Sequence, residues 1–405
     1  MRSFRIKRYA FGALFLSALL MAACQNEDMI DEPLPGIPGE EAGSVVLNFT
    51  VKDELAIADA DNTGSTADAT RNQGVSTRTD LPGSGNAQHV TVVRLYIFDG
   101  TSPNSTCVAS EDIGWSAHFG NIPPTVTSSM NYRVKYSGLV NGNTYTFLAV
   151  GTDASSATTY GYPAAIVVGT TQLSNAIATL TGTEATTWKN MRQSELFAGA
   201  TALTASSYGT QGNVDLWRRV AGVMGWFTNV PTSISGNAVA NIRISLYTSQ
   251  NKSVPLIQRS QTPVFADYLL NPVVTTGGQV LVEIPVPPAT LPIAVLSKGS
   301  YVLPVPAPAP VNTNDYTLKV ELVNAAGTIL RSNRVTLSGT DDSNSSPGNG
   351  TGVIDPQGVY RFPIVANRFY GVGTSVSPIN LGGTTLRNSI PAWIITDMNK
   401  VEIGK

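Results

Sequence analysis

Apolar and polar residues alternate with a period of two along most of this chain, between clusters of Gly, Pro, Ser, Asn and Asp, and no long stretch carries the 3.6-residue period of an amphipathic helix. The first alternating run is "SVVLNFTV", in which Val45, Leu47, Phe49 and Val51 share one face and Val46, Asn48 and Thr50 the other. It is cut off from everything after it by "DELAIADADNTGSTADATRNQGVSTRTDLPGSGNA", a stretch of small, acidic and turn-forming residues that reads as a mobile linker. A lone strand is not stable by itself, so this one must join a sheet made by later residues. Further strands are predicted at "VTVVRLYIFD", "YRVKYSGLV", "TYTFLAVGT", "VDLWRRVAGVMGWFTNV", "NIRISLYT", "QVLVEIPV", "YTLKVELVN", "TILRSNRVTL" and "VYRFPIVANRFY", with a final pair "TTLRNSIPAWII" and "MNKVEI". Asn141-Gly142, between two of these runs, predicts a hairpin with a type I′ turn. Strands this regular, with few helices, predict an all-β chain of two β-sandwich domains in series. The boundaries read as residues 79–209 and 210–405.

The leader has its own pattern. Arg2, Arg5, Lys7 and Arg8 precede an uncharged run from Phe11 to Ala23, which is the layout of a secretory signal (residues 1–23) and is too short to span the ~30 Å hydrocarbon core of a bilayer. Ala22 and Ala23 lead into Cys24, and small-small-Cys at that place resembles a bacterial lipobox, with Met21 where Leu is usual. Cys24 is therefore the expected lipidation site, and Cys107, the second of two cysteines, is expected to be a free thiol. Glu27, Asp28, Asp31 and Glu32 follow at once and resemble the tag that sends lipoproteins of the Bacteroidales to the outer face of the outer membrane.

Composition narrows the function. Charged residues are 13% of the 405, far below the ~25% of an average soluble domain, which suits an extracellular β protein. A net charge of −2 with no lysine or arginine stripe sets nucleic acid aside. Only His89 and His118 exist, in unrelated segments, and no zinc helix, nucleophile elbow or phosphate loop is present, so no catalytic residue, cofactor or metal is expected. "DADNTGSTADAT" places Asp59, Asp61, Thr63 and Gly64 at calcium-loop spacing, but Thr70 stands where the bidentate Glu belongs. Trp115, Trp188, Trp217, Trp226 and Trp393 could stack on sugars; burial in a core is the commoner use of tryptophan.

Taken in order, the lipobox at Cys24, the detached "SVVLNFTV", the arginine in "STRT", "VVRLYIFDG", "SELFAG", "LWRRVAGVMGWFTNVP", "YRFPIVANRFYGVG" and "PAWIITDMNKVEI" resemble the fimbrillins of the Bacteroidales. That resemblance implies two transthyretin-like β-sandwiches, an outer-membrane lipoprotein precursor, and maturation into a surface fimbrium used in adhesion or biofilm formation. It implies as partners other fimbrial subunits and a trypsin-like, arginine-specific surface protease that cuts the linker of the propeptide (residues 24–78) at Arg78, with Arg71 as the alternative. A host or bacterial surface receptor is a further partner left open. The strand of residues 44–52 would fill a groove through Val45, Leu47, Phe49 and Val51 until another subunit's strand replaces it. The segment 381–403 is the expected donor, with Leu386, Ile390, Trp393 and Ile395 as its anchors; a closing hairpin of its own domain is the competing use. A permanently lipid-anchored, glycan-binding lipoprotein is the alternative function, favoured by a surface row of tryptophans and an uncut linker.

Overall fold

The structure, a computed structural model, describes residues 44–51, 90–115, 129–152, 166–181, 195–246, 250–257, 275–276, 280–287, 295–307, 317–336, 353–354, 360–374, 376–382 and 389–395. Among these the regular elements are strands, apart from one 3-10 turn at Leu173–Asn175. The chain is an all-β sandwich protein, as its alternation predicts.

The first sheet has seven strands. In chain order they are β1 (Val45–Val51), β2 (Val92–Phe98), β3 (Cys107–Asp112), β4 (Ser129–Arg133), β5 (Thr144–Thr152), β7 (Leu196–Thr204) and β8 (Thr210–Arg218), where β6 (Ile177–Thr179) is a short strand outside this sheet. The spatial order is β3-β2-β5-β7-β8-β1-β4. β8 pairs with β7 only at Phe197↔Arg218 and Ala198↔Trp217 and with β1 along the rest of its length. At that divergence a Cβ on Gly199 would stand 1.8 Å from the Asp215 carbonyl oxygen, so only glycine lets the two backbones cross. The sheet thus turns a corner, and β8, β1 and β4 close over β2, β5 and β7. Val93, Leu95, Ile97, Phe147, Val214 and Leu216 fill the space between.

The central strands are buried on both faces, which is why β5 reads "TYTFLAVGT" with eight of nine residues buried. Tyr145, Phe147 and Ala149 face the core beneath β1, while Leu148 and Val150 face a second core shared with the later strands.

The second sheet has nine strands. Its path runs through Val280–Pro285, Asn241–Leu246, Leu318–Val323, Ile329–Thr336, Ser389–Ile395, Phe369–Val372, β9 (Ala221–Thr228) and Leu296–Val302, with Ile379–Asn380 also on β9. The run "VDLWRRVAGVMGWFTNV", read as one strand, is two: β8 in the first sheet and β9 in the second. The backbone changes partners between them, where Arg219 N–H donates to Leu196 and Asn367 N–H to Val220. The changeover lies after Arg218, later than the expected boundary at 209/210.

The predicted hairpin at Asn141-Gly142 is not formed. β4 pairs with β1, and β5 with β2 and β7. Gly142 has φ +85° but Asn141 has no positive φ, so this is not the I′ geometry; Asn143 N–H closes onto the Val140 carbonyl instead, as in a type II turn. The I′ pair is Ser235-Gly236, with φ of 50° and 80°, joining Ser233–Ile234 to Asn237–Ala238.

Candidate functional site: the groove filled by the first strand

β1 is placed as an inner strand. It runs parallel to β8 from Val45↔Thr210 to Val51↔Leu216, and antiparallel to β4 from Val46↔Arg133 to Thr50↔Ser129. Two bonds extend these ladders at the entry end, from Thr210 N–H to the Ser44 carbonyl and from Val134 N–H to the Val45 carbonyl, both 2.9 Å. Val45, Leu47, Phe49 and Val51 are all buried, and the residues between them are half-buried. The alternation in the sequence is the cause: four apolar side chains on one face fit a core, and Val46, Asn48 and Thr50 suit the outer face.

These four side chains contribute on the order of 6–12 kcal/mol by burial, at about 1.5–3 kcal/mol each and before the ordering of the strand is counted against them. Without β1, the inner edges of β8 and β4 would present unpaired backbone N–H and C=O groups beside an apolar trough. The strand that prevents this is joined to β2 only through residues 52–89, and it is not next to β2 in the sheet.

One wall of the groove is polar at its rim. The Phe49 ring lies 6.4 Å from that of Tyr132 on β4, and the Tyr132 hydroxyl donates to Glu111 Oε2 (2.9 Å). Glu111 also accepts from Lys135 N–H at 3.0 and 3.1 Å, so one carboxylate on β3 holds the end of β4 in place. Burial, then the bond to the Glu111 carboxylate and its charge, push the Tyr132 hydroxyl far above its ordinary range, so it stays a donor.

Of the expected donor anchors, Leu386 lies outside the described residues, and the others are on Ser389–Ile395, a strand of their own sheet. Ser389, Ile390 and Pro391 pair in parallel with Arg334, Val335 and Thr336, while Ala392 to Ile395 pair antiparallel with Val372 to Phe369. The ladders cover different halves of the strand and change sides at Pro391, which has no N–H to give. Trp393 stands opposite Gly371. In this arrangement the segment is part of its own subunit's sheet, and donation would require both short ladders to open. The competing hairpin with "MNKVEI" lies outside the described residues, as do Cys24, Arg71, Arg78, His89, His118, Trp188 and the 59–70 loop.

Trp115, Trp217 and Trp226 are buried. The Trp115 indole donates to the Val90 carbonyl (3.1 Å), and Trp226 packs edge-on against Phe369. They are core residues and form no surface row. Cys107 is a free, buried thiol; burial, partly offset by bonds to Ala109 and Ile97, pushes it up to about 11. Among the described residues, no group of three His, Cys, Asp or Glu side chains is placed to hold a metal ion.

A second constellation was not recognised in the sequence as a site. "SELFAG", "LWRRVAG" and "VANRFYG" converge where β8 hands over to β9. Arg218 Nε donates to Glu195 Oε1 (2.9 Å), and its Nη1 to Asn367 Oδ1 (2.6 Å). Its guanidinium lies 4.8 Å from the Phe197 ring centre. Arg219 Nη2 donates to the carbonyls of Ala198 and Leu256. Glu195, Arg218, Arg219, Asn367 and Arg368 are all buried. The readable signal was a pair of arginines inside an apolar run, which must find buried partners or leave the core.

No curated protein sequence matches the chain. Solved structures that resemble it do so at low identity. The fimbrial anchor protein Mfa2 from Porphyromonas gingivalis has a TM-score of 0.38 at 11% identity, covering 81% of this chain and 89% of that one. A candidate adhesin from Bacteroides thetaiotaomicron has 0.40 at 12%, covering 80% and 99%. A fimbrial assembly protein from Parabacteroides distasonis has 0.35 at 10%, covering 82% and 90%. Residues 68–263 match the family described as fimbrillin-A associated anchor proteins Mfa1 and Mfa2.

Proposed function

We propose that this chain is a structural, non-enzymatic subunit of a cell-surface fimbrium with a role in adhesion, delivered as a lipoprotein precursor through Cys24 and joined to other subunits by strand exchange at the β1 groove. The observation that carries the reading is β1 itself, an inner strand paired on both sides whose only covalent route to the rest of the fold is residues 52–89. The family match to fimbrial anchor proteins supports the setting. While the linker is whole, β1 is held at high effective concentration and the groove stays closed. Cutting at Arg78, or at Arg71, makes β1 a non-covalent occupant that a strand from another subunit can replace, with 381–403 as the segment proposed to be given. Head-to-tail transfer of this kind does not close on itself and builds a filament.

The experiment is to shear surface material from cells and sequence its N-termini, and in parallel to mix purified, trypsin-trimmed chains and look for SDS-resistant ladders. New termini at Thr79 or Asn72 together with ladders are expected, and Cys24→Ser should abolish surface assembly. Chains that keep a lipidated Cys24, are never cut and form no ladders would overturn strand exchange and favour a permanent anchor.

A further inference from the structure

We infer that β1 is a force-bearing clamp, built to resist tension along its own axis against β8 while remaining open to replacement by another strand. The inference rests on the fimbrial reading only for the source of the load; the geometry stands without it.

The polarity of the strands carries the argument. β1 enters the sheet at Ser44, beside Thr210 at the start of β8, and the two run parallel through Val51↔Leu216. β8 ends at Arg218 and continues within three residues into β9 of the second sheet. Anything that pulls on the chain before Ser44 draws β1 towards its N-terminus. Tension carried by the chain after Arg218 draws β8 towards its C-terminus. The two strands are then dragged past each other along their common axis. The ladder bonds of this parallel pair are evenly spaced and bridge the two strands at a slant, so sliding loads all of them together and none fails first at low cost.

Sliding has no easy intermediate. A slip of one residue would turn Val45, Leu47, Phe49 and Val51 out of the core and Val46, Asn48 and Thr50 into it. The far end of β8 is fastened as well, because Arg218 is held by Glu195 and Asn367 at the changeover, so tension reaches the second sheet without opening a hinge there. An incoming strand meets none of this resistance. It can take over the edges of β8 and β4 one residue at a time, breaking one β1 bond for each bond it makes.

The opposite loading is also present in the same molecule. β4 is antiparallel to β1, and Lys135, just beyond its end, is exposed beside the entry of β1. Pulling Ser44 away from Lys135 peels β1 out bond by bond.

Single-molecule force spectroscopy on the unacylated full-length chain separates the two. One handle goes on Cys24 by thiol chemistry, since Cys107 is buried. The other is an azide side chain at either Val376, 69% exposed and between the second-sheet strands Phe369–Val372 and Ile379–Asn380, or Lys135. With the 24/376 pair, extraction of β1 should need a several-fold higher force than with the 24/135 pair at the same loading rate, forced extraction being governed by the unfolding barrier. In both, the first event should release residues 45–89, an extension of about 150 Å at the ~3.3–3.6 Å per residue of an extended chain. After trypsin cuts the linker, the same force with the 24/376 pair should end in complete detachment. Equal forces in the two geometries, or a first event with a different extension, would overturn the clamp. Absence of filament ladders would sink the fimbrial reading and leave these force results untouched.

Discussion

Phe49→Ala tests the groove at its largest side chain. Phe49 is fully buried, central in β1, and leans on Tyr132 of the groove wall. Removing a buried phenyl ring typically costs about 3–5 kcal/mol, part transfer and part cavity. Thr50 is the matched control, because it points to the outer face and is half-buried; Thr50→Ala should cost no more than about 0.5 kcal/mol. In the uncut chain the tether hides much of the difference, since β1 rebinds from a high local concentration. In the trimmed chain nothing does. There the dissociation constant of the severed leading segment should rise by about two to three and a half orders of magnitude for Phe49→Ala, at 1.4 kcal/mol per factor of ten.

Two readouts make this measurable. A label on Cys24 reports release of the leading segment by a fall in anisotropy, and hydrogen exchange reports the amides of β8 and β4 that β1 had covered. Protection at Thr210–Leu216 and Ser129–Arg133 should be lost in trimmed Phe49→Ala and kept in trimmed Thr50→Ala. A synthetic peptide of residues 44–52 should restore it. If the two substitutions release the segment equally fast, or if exchange at β8 and β4 does not change when the segment leaves, the side-chain alternation is not what holds β1 and the groove argument fails.

Three further outcomes are expected. Arg218→Ala leaves the Glu195 carboxylate buried without that guanidinium and should destabilise the fold by about 3–5 kcal/mol in denaturant titration, whereas Arg243→Ala, at the partly exposed pair with Glu283, should cost no more than about 1 kcal/mol. Arg78→Ala should prevent a native tryptic fragment starting at Thr79; if an unchanged fragment starting at Asn72 accumulates, Arg71 is the site. In a Cys24→Ser background, Cys107 should ignore a disulfide-exchange reagent at pH 8 until the protein is unfolded, because burial holds it as a thiol up to about 11; reaction in the native state would mean β3 opens locally.

Faces were legible in the sequence and partners were not. The alternation of "SVVLNFTV" identified which four side chains enter the core, because period two follows from strand geometry alone. It could not say that β1 lies between β8 and β4, since neither strand is its neighbour in sequence and the pairing is fixed by three-dimensional closure. The hairpin failed for a related reason: Asn-Gly permits a I′ turn, but the residues on either side of it were needed in different parts of the sheet. β8 and β9 merged into one predicted strand because two apolar runs abut, and only the charged pair Arg218-Arg219 marks the place where the backbone changes sheets. The strand Ser389–Ile395 was visible as a strand, while its placement inside its own sheet was not.

That charged pair also bears on how the groove and the rest of the molecule are connected. A junction of Glu195, Arg218 and Asn367 in an apolar setting is a weak source of stability, because the cost of taking two charges out of water offsets most of their attraction. Leucines of similar volume would hold the two sheets together as well, but they would tolerate many relative placements. The ion pair and the bond to Asn367 demand a specific placement of Glu195, Arg218 and Asn367 where β8 gives way to β9. The same bonds that mark where the second sheet begins hold the C-terminal end of β8 in place. A looser junction would bend under load and let β1 open from one end. The junction therefore contributes less to how firmly the chain folds than to how β8, and β1 paired beside it, would be loaded.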